Sequence, residues 1–327
     1  MLKFGFIGCG KMAGFHADAV RALDHDIVGV SGRPGSRNIA DFSKLYGIAN
    51  SYQDWREMIE EERPDALVVS VSWDQTEGII QEIVNSGLPS LVEKPVALSS
   101  SALQKIMANT AQYHDRIMVG YNRRFYDFMP LIKQALDEQE LISIDLNFPE
   151  PLGNLMKTKS PKIAKYILIY MSSHWLDLLI SLIGELKVES MSKKRSAGPG
   201  HVEAYNGILR SIRYDIPVHL KANFDAPSNT AITFNFRDSI YKLCPIEVLN
   251  IYKGMESIEP SGEVPIRRYV PHVEKTRYTD TKYKPGVLKQ MECFIETCVH
   301  KKTANGQGCT LDQALEVTRI CEEIERS

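Results

Sequence analysis

Residues Phe4-Gly5-Phe6-Ile7-Gly8-Cys9-Gly10-Lys11-Met12-Ala13-Gly14 put a glycine turn directly behind a short apolar run. The order is strand, then Gly8-x-Gly10-x-x-Ala13, then a helical pattern carrying His16, Ala17, Val20 and Leu23. Each small residue has a physical task there. Gly8 permits the tight turn, Gly10 lets the backbone approach a pyrophosphate, and Ala13 lets the helix pack closely on the strand. The helix begins with free N–H groups and the positive end of its dipole, which suits phosphates. Gly8, Gly10, Lys11 and Met12 are therefore the expected cofactor-binding residues of this turn.

Outward from the turn, strand-like runs at residues 3–7, 26–30, 66–70, 90–92 and 116–119 alternate with helical patterns at 13–23, 39–46, 54–62, 76–86 and 100–114. Such alternation predicts parallel strands with crossover helices. The fold class is thus an α/β Rossmann domain, a doubly wound sheet with ligands at the strand carboxyl ends, over residues 1–120. After Gly120 the pattern changes to a helix at 128–138, a strand at 141–148, a Pro/Lys loop at 149–165 and an apolar helix at 166–184. Alternating strands follow at 218–224, 230–236 and 246–252, then helices at 286–300 and 311–325. Residues 121–327 are expected to form an α+β domain for substrate binding and oligomerisation. Its largely antiparallel open sheet would have one face on helices and the other free for a partner subunit.

The 39 basic and 41 acidic side chains leave a net charge of −2, so no basic field invites nucleic acid. Cys9, Cys244, Cys293, Cys298, Cys309 and Cys321 form no Cys-x-x-Cys pair, and the eight histidines show no ligand spacing. We expect reduced thiols in a cytoplasmic protein, with no structural metal. The chain opens on a strand without a basic leader, so secretion is not expected. No apolar stretch reaches the roughly 20 residues of a membrane span. Ser172, Ser173, His174 and Asp177 interrupt the longest, which reads as a buried helix.

An acidic residue about 20 positions after the glycines would bind the ribose 2′-hydroxyl of NAD. Here the second strand ends Ser31-Gly32-Arg33-Pro34-Gly35-Ser36-Arg37, with no carboxylate. Room at Gly32, with donors and charge from Ser31, Arg33, Ser36 and Arg37, favours NADP, NAD being the alternative.

Ser90-Leu91-Val92-Glu93-Lys94-Pro95 is a strand ending in Glu-Lys-Pro. A lysine at that position faces the crevice of a doubly wound sheet, where its ammonium can donate to a substrate hydroxyl and stabilise an alkoxide. With the glycine turn, the junction Val119-Gly120-Tyr121-Asn122-Arg123-Arg124-Phe125 and a later helical His-x-x-Asp, the chain resembles the glucose–fructose oxidoreductase/inositol dehydrogenase (Gfo/Idh/MocA) family over essentially its full length. The resemblance implies NAD(P)-dependent oxidation or reduction at a carbon–oxygen centre of a sugar, cyclitol or nucleotide sugar. It also implies a homodimer or homotetramer, a final helix packed back on the first domain, and Lys94 lying between nicotinamide and substrate. Glu93, Ser72 and Trp73 join the expected cofactor site; Trp73 either stacks near the nicotinamide or fills a gap. The family's Thr-Pro-x-x-x-His is altered, since Ser72 and Thr76 hold its Pro and His positions.

Tyr170, His174 and Asp177 recur at i, i+4 and i+7 of the apolar helix and would share one face. His174 is the natural proton carrier, Asp177 would orient its imidazole, and Tyr170 is a poor base unless Lys94 lowers its pKa. With Lys94 these are the expected catalytic residues. The family usually carries Gly-x-His, with an aspartate where Tyr170 stands. Of the two arginines, one is expected to meet substrate or cofactor and the other a structural carboxylate, with Arg123 the choice for the cofactor. Lys157, Lys159, Lys162 and Lys165 lie in a loop that either closes over a phosphate, as of a sugar phosphate, or is simply solvated. The leading expectation is a dehydrogenase or reductase acting on CH–OH groups. A non-catalytic nucleotide-sensing homologue and a transient-redox enzyme with a non-redox net reaction stand as alternatives.

Overall fold

The computed structural model describes residues 1–33, 35, 38–196, 201–302 and 306–327; Ser36 and Arg37, offered above to a 2′-phosphate, lie outside the described residues. The chain divides into two compact units. The first comprises Met1–Phe125, Leu168–Ser181 and Asp280–Glu322, and the second Tyr126–Ile167, Leu182–Thr279 and Glu323–Ser327.

In the first unit, β1 (Lys3–Ile7), β2 (Asp26–Ser31), β3 (Asn50–Tyr52), β4 (Ala66–Val69), β5 (Ser90–Val92) and β6 (Ile117–Val119) form a parallel sheet in the order β3-β2-β1-β4-β5-β6. Phe4, Phe6, Leu67, Val68, Val69, Leu91 and Val92 are buried, as a parallel sheet covered on both faces requires. The strand order reverses at β1, whose carboxyl end carries the glycine turn, and doubly wound sheets bind ligands at that switch point. β3 escaped the sequence reading because Asn50-Ser51-Tyr52 has no apolar run and is mostly exposed. Helix Lys11–Ala22 buries Ala13, Ala17 and Val20 in a core shared with Phe4, Phe6 and with Val287, Met291 and Phe294 of helix Val287–Phe294.

Helix Ile163–Ile183 is longer than its apolar run suggested, and by length and composition it is the one described helix able to cross a membrane. Leu176, Leu178, Leu179 and Ile183 are nevertheless fully buried inside the protein, in keeping with a core helix. One turn, Leu168–Ser172, is π-helical and carries Tyr170.

In the second unit, β7 (Leu141–Asn147), β8 (Leu186–Arg195), β9 (Val202–Ser211), β10 (Ile216–Asn223), β11 (Ala231–Phe236), β12 (Ile240–Leu243), β13 (Val248–Ile258) and β14 (Arg268–Tyr278) form a sheet in the order β14-β13-β12-β11-β7-β10-β9-β8. Every pair is antiparallel except β7 with β10, so the expected largely antiparallel sheet is present. Ile144, Leu146, Val218, Leu220, Ile232 and Phe234 are buried at alternate positions, which gives this sheet one apolar face. Residues 149–165, expected as an open loop, contain helix Leu152–Thr158 instead. The Asp225 carboxylate anchors it by accepting from the Gly153 N–H at 2.9 and 3.0 Å.

Gly8 and Gly10 do different work. Gly8 has φ +103°, and a Cβ there would lie 2.2 Å from the Ser70 carbonyl oxygen, whereas a Cβ at Gly10 would meet nothing within 4 Å. Gly8→Ala is expected to cost at least about 2 kcal/mol in urea denaturation, and Gly10→Ala no more than about 1 kcal/mol. Equal losses in the two variants would contradict this division.

Candidate active site

The helix Lys11–Ala22 starts at Gly10, whose extended backbone offers no side-chain cap. Its first-turn amides therefore receive no side-chain cap, and a Cβ at Gly10 would meet nothing within 4 Å, so there is room for an anion at this helix start. Lys11 is exposed and Met12 half-buried beside it. The Lys11 and Lys284 ammonium groups each lie 5.8 Å from the centre of the Phe15 ring, adding positive charge at this helix end. An uncapped helix start with two lysines suits a diphosphate.

At the end of β2 the expectation is only partly met. Ser31 was expected to donate to a phosphate, but it is buried and its hydroxyl donates back to the Phe6 carbonyl at 3.4 Å. A strand residue facing the core spends its hydroxyl on its neighbour. Gly32 is half-buried and its N–H donates to the Tyr52 carbonyl at 3.0 Å. Arg33 is exposed and in no salt bridge among the described residues. Ser72 is exposed, its hydroxyl donating to Asp74 at 2.7 Å.

Glu93 and Lys94 leave β5 in opposite senses. The Glu93 carboxylate is buried against His16, with Nε2 and Oε1 2.8 Å apart. A Cβ on Gly120 would come within 2.9 Å of that same Oε1, so the glycine makes room for it. Glu93, expected at the cofactor, thus ties the helix that follows the glycine turn to the strand that carries Lys94. His16 was missed as a partner, though its place among Ala13, Ala17 and Val20 marks a lone polar group on an apolar helix face. The half-buried Lys94 ammonium donates to the Tyr170 carbonyl at 2.6 Å and lies 4.9 Å from the centre of the Tyr170 ring. Trp73 packs on the far partner of that contact, its ring centre 5.4 Å from that of Tyr170.

The helical stripe divides. Tyr170 meets Lys94 through its carbonyl and ring face, and burial pushes its phenol pKa up from the ordinary value. Burial is the cause of that rise, and the condition under which Tyr170 would serve as a base, a pKa lowered by Lys94, is not met. His174 is buried edge-on to Tyr121 at 5.6 Å, and its Nδ1 has no hydrogen-bond partner. Burial, then the positive charges of Arg123, Lys94 and Lys284, hold its pKa well below the usual value, so the imidazole is neutral near pH 7.

Asp177, expected to orient His174, turns instead to Arg124. Arg124 Nε donates to both carboxylate oxygens at 3.1 and 2.9 Å, Nη2 to Oδ1 at 2.6 Å, and Nη1 to Gln313 at 2.7 Å. Both side chains are buried. Burial pushes the Asp177 carboxyl up against the pull of Arg124, but the guanidinium keeps its proton at neutral pH and the pair stands ionised. The structural carboxylate therefore belongs to Arg124. Arg123 instead stacks on Trp175, 4.5 Å from guanidinium carbon to ring centre, and donates to Asn122 Oδ1 at 3.2 Å. Among the described residues, no group of three His, Cys, Asp or Glu side chains is placed to hold a metal ion.

Residues 2–121 match the family model GFO_IDH_MocA, described as an oxidoreductase family with an NAD-binding Rossmann fold. Over those residues, little more than a third of the chain, it is similar to the Gfo/Idh/MocA oxidoreductases. Inositol 2-dehydrogenase 2 of Saccharopolyspora erythraea is 31% identical over 143 residues, 42% of this chain and 41% of that protein. Myo-inositol 2-dehydrogenase of Thermotoga maritima is 22% identical over 136 residues, again 42% of this chain and 41% of that protein. The matches thus span about two-fifths of the length of these curated relatives. A crystal structure of an oxidoreductase from Agrobacterium radiobacter, in complex with NAD+, L-tartaric acid and magnesium, superposes with a TM-score of 0.77 at 15% identity, over 100% of this chain and 96% of that one. At that identity the likeness is one of fold. Tyr170, where the sequence resemblance led us to expect an aspartate, meets Lys94 through its carbonyl rather than its hydroxyl.

Removing one member of the Arg124–Asp177 pair strands the other charge in the core. Asp177→Ala is expected to destabilise the protein by about 3–5 kcal/mol, and the apolar double variant Arg124→Met/Asp177→Leu to recover most of that loss in denaturant unfolding. A double variant no better than Asp177→Ala would show that the pair, not the orphaned charge, sets the stability.

Proposed function

We propose that this chain is a nicotinamide-dependent oxidoreductase, NADP-preferring, that moves a hydride to or from a carbinol carbon of a sugar, cyclitol, sugar phosphate or nucleotide sugar. The observation that carries the reading is the meeting of Lys94, at the carboxyl end of β5, with the π-helical turn that leads into the buried neutral His174. The match of residues 2–121 to the Gfo/Idh/MocA oxidoreductases and the partial likeness to inositol dehydrogenases support the substrate class.

The bound nicotinamide would supply the hydride acceptor or donor. Gly8, Gly10 and the helix start behind them would hold the diphosphate, with Lys11 beside it. Glu93 fixes the strand end against His16 and so positions Lys94. In the oxidative direction the Lys94 ammonium donates to the substrate oxygen and steadies negative charge there. His174 accepts the hydroxyl proton as the carbon loses hydride, and the carbinol becomes a carbonyl. Reduction runs the same proton back from His174. The NADP preference rests on the missing carboxylate after β2 and on exposed Arg33; Arg37 belongs to the same proposal.

The test is NADPH and NADH formation against a panel of sugars, cyclitols, sugar phosphates and nucleotide sugars. Lys94→Met should cut kcat by about a hundredfold or more while cofactor affinity changes little. Tight cofactor binding with no turnover across the panel would favour the sensing reading, and failure to bind either cofactor would sink the proposal. The pH profile carries its own sign. Because the His174 pKa is depressed, the imidazole stays unprotonated as pH falls through 6.5, so kcat/KM for oxidation should hold level there and decline only at lower pH. An acid limb at or above pH 6.5 that disappears in His174→Asn would contradict this.

We also propose a homodimer or homotetramer in the cytoplasm. Its support is the hairpin of β13 and β14 at the sheet edge, where Met255, Tyr269, Val273 and Tyr278 are exposed. Sedimentation equilibrium should give a multiple of the 36.9 kDa chain, and charged substitutions at Tyr269 and Val273 should shift it towards the monomer. A monomer at micromolar concentration would rule it out.

A further inference from the structure

Arg123 and Arg124 are neighbours in sequence and opposites in company. Arg124 has its charge met by Asp177 and its remaining donors met by Gln313 and the Gly308 carbonyl. Arg123 makes direct contact with neutral partners, although its charge also bears on the Asp177 carboxyl, which Arg124 already engages. The Arg123 guanidinium carbon lies over the Trp175 ring, 4.5 Å from the ring centre, Nη1 donates to Asn122 at 3.2 Å, and Nε is buried without any hydrogen-bond acceptor. No carboxylate lies within salt-bridge distance of it among the described residues.

The neighbour of Trp175 is His174, whose own Nδ1 is buried and unpartnered while only 8% of the residue is exposed. The charges that bear on this imidazole come from Arg123, Lys94 and Lys284, all positive. Two orphaned polar atoms under a convergent positive field are costly in an empty or neutral site, because each buried donor loses water and gains nothing in return. An oxyanion removes that cost. It accepts from the guanidinium edge, and its charge is attracted by all three cations. Stacking on Trp175 holds the guanidinium plane in advance, so little rotamer freedom is lost when the anion arrives.

We propose that the substrate of this site is a polyol bearing an oxyanion, a carboxylate or phosphate ester, received by Arg123 beside His174. The inference rests on the oxidoreductase reading above and narrows its substrate class. The same oxyanion chemistry could instead come from the phosphates of the cofactor, so the test separates the two sources.

The full chain, saturated with NADPH, is titrated calorimetrically with D-gluconate and D-glucose 6-phosphate, and with neutral D-glucose and myo-inositol. At least one charged ligand should bind about tenfold or more tighter than the neutral ones. Raising salt from about 0.05 to about 0.5 M should erode that advantage in the unaltered protein. Arg123→Gln should abolish the advantage and Arg123→Lys should keep part of it, with NADPH affinity within about twofold of wild type in both. Three results would overturn the proposal: neutral and charged polyols binding alike, no charged polyol binding, or Arg123→Gln weakening NADPH while sparing the charged ligand. The last would assign the guanidinium to the cofactor. Charge-dependent binding lost in Arg123→Gln, together with no turnover in either direction, would retain the anion site and reject the oxidoreductase reading.

Discussion

One buried ion pair organises the first unit. Arg124 follows β6, Asp177 sits in helix Ile163–Ile183, and Gln313 belongs to helix Leu311–Arg326, so three segments far apart in sequence converge on a single guanidinium. Desolvating both charges is expensive, and only complete geometry offsets it; here the carboxylate takes three donor contacts and the guanidinium adds two neutral acceptors. Because the pair tolerates no slippage, it fixes the helical segment 173–177. His174 and Trp175 are set in place by the same constraint, and with them the platform on which Arg123 stacks.

A second tie governs the other side of the site. Glu93 reaches His16 across the space that Gly120 leaves empty. The contact joins the helix that starts at the glycine turn to the strand end that presents Lys94. The turn proposed to hold a phosphate and the lysine proposed to donate a proton are thereby referred to one rigid frame, which the proposed hydride transfer between two bound molecules would need. Neither Glu93 nor His16 has to touch a ligand to matter.

The places where expectation and structure part share a cause. Ser31, Tyr170 and Asp177 were each assigned by residue type and spacing along one element. Each is redirected by a partner on another element: the Phe6 carbonyl, the Lys94 ammonium and the Arg124 guanidinium. The π-helical turn at Leu168–Ser172 adds to this for Tyr170, since a wider turn breaks the i, i+4 stripe that an α-helix would present. Strand β3 was invisible for a simpler reason, because an exposed edge strand of polar residues has no periodicity to read.

The sequence by itself determined the doubly wound sheet, the largely antiparallel second sheet, the glycine turn at its switch point and the position of Lys94. Those features depend on short-range matters: apolar periodicity, the need for glycine at Gly8, and a lysine at a strand end. Only the tertiary structure decided which arginine is neutralised, where Asp177 points, that Glu93 serves His16, and that His174 lies neutral among three cations. Charge and hydrogen-bond partnership in a buried site are settled by which elements meet. A linear chain states which groups are available, but the low dielectric of the interior decides which of them must pair.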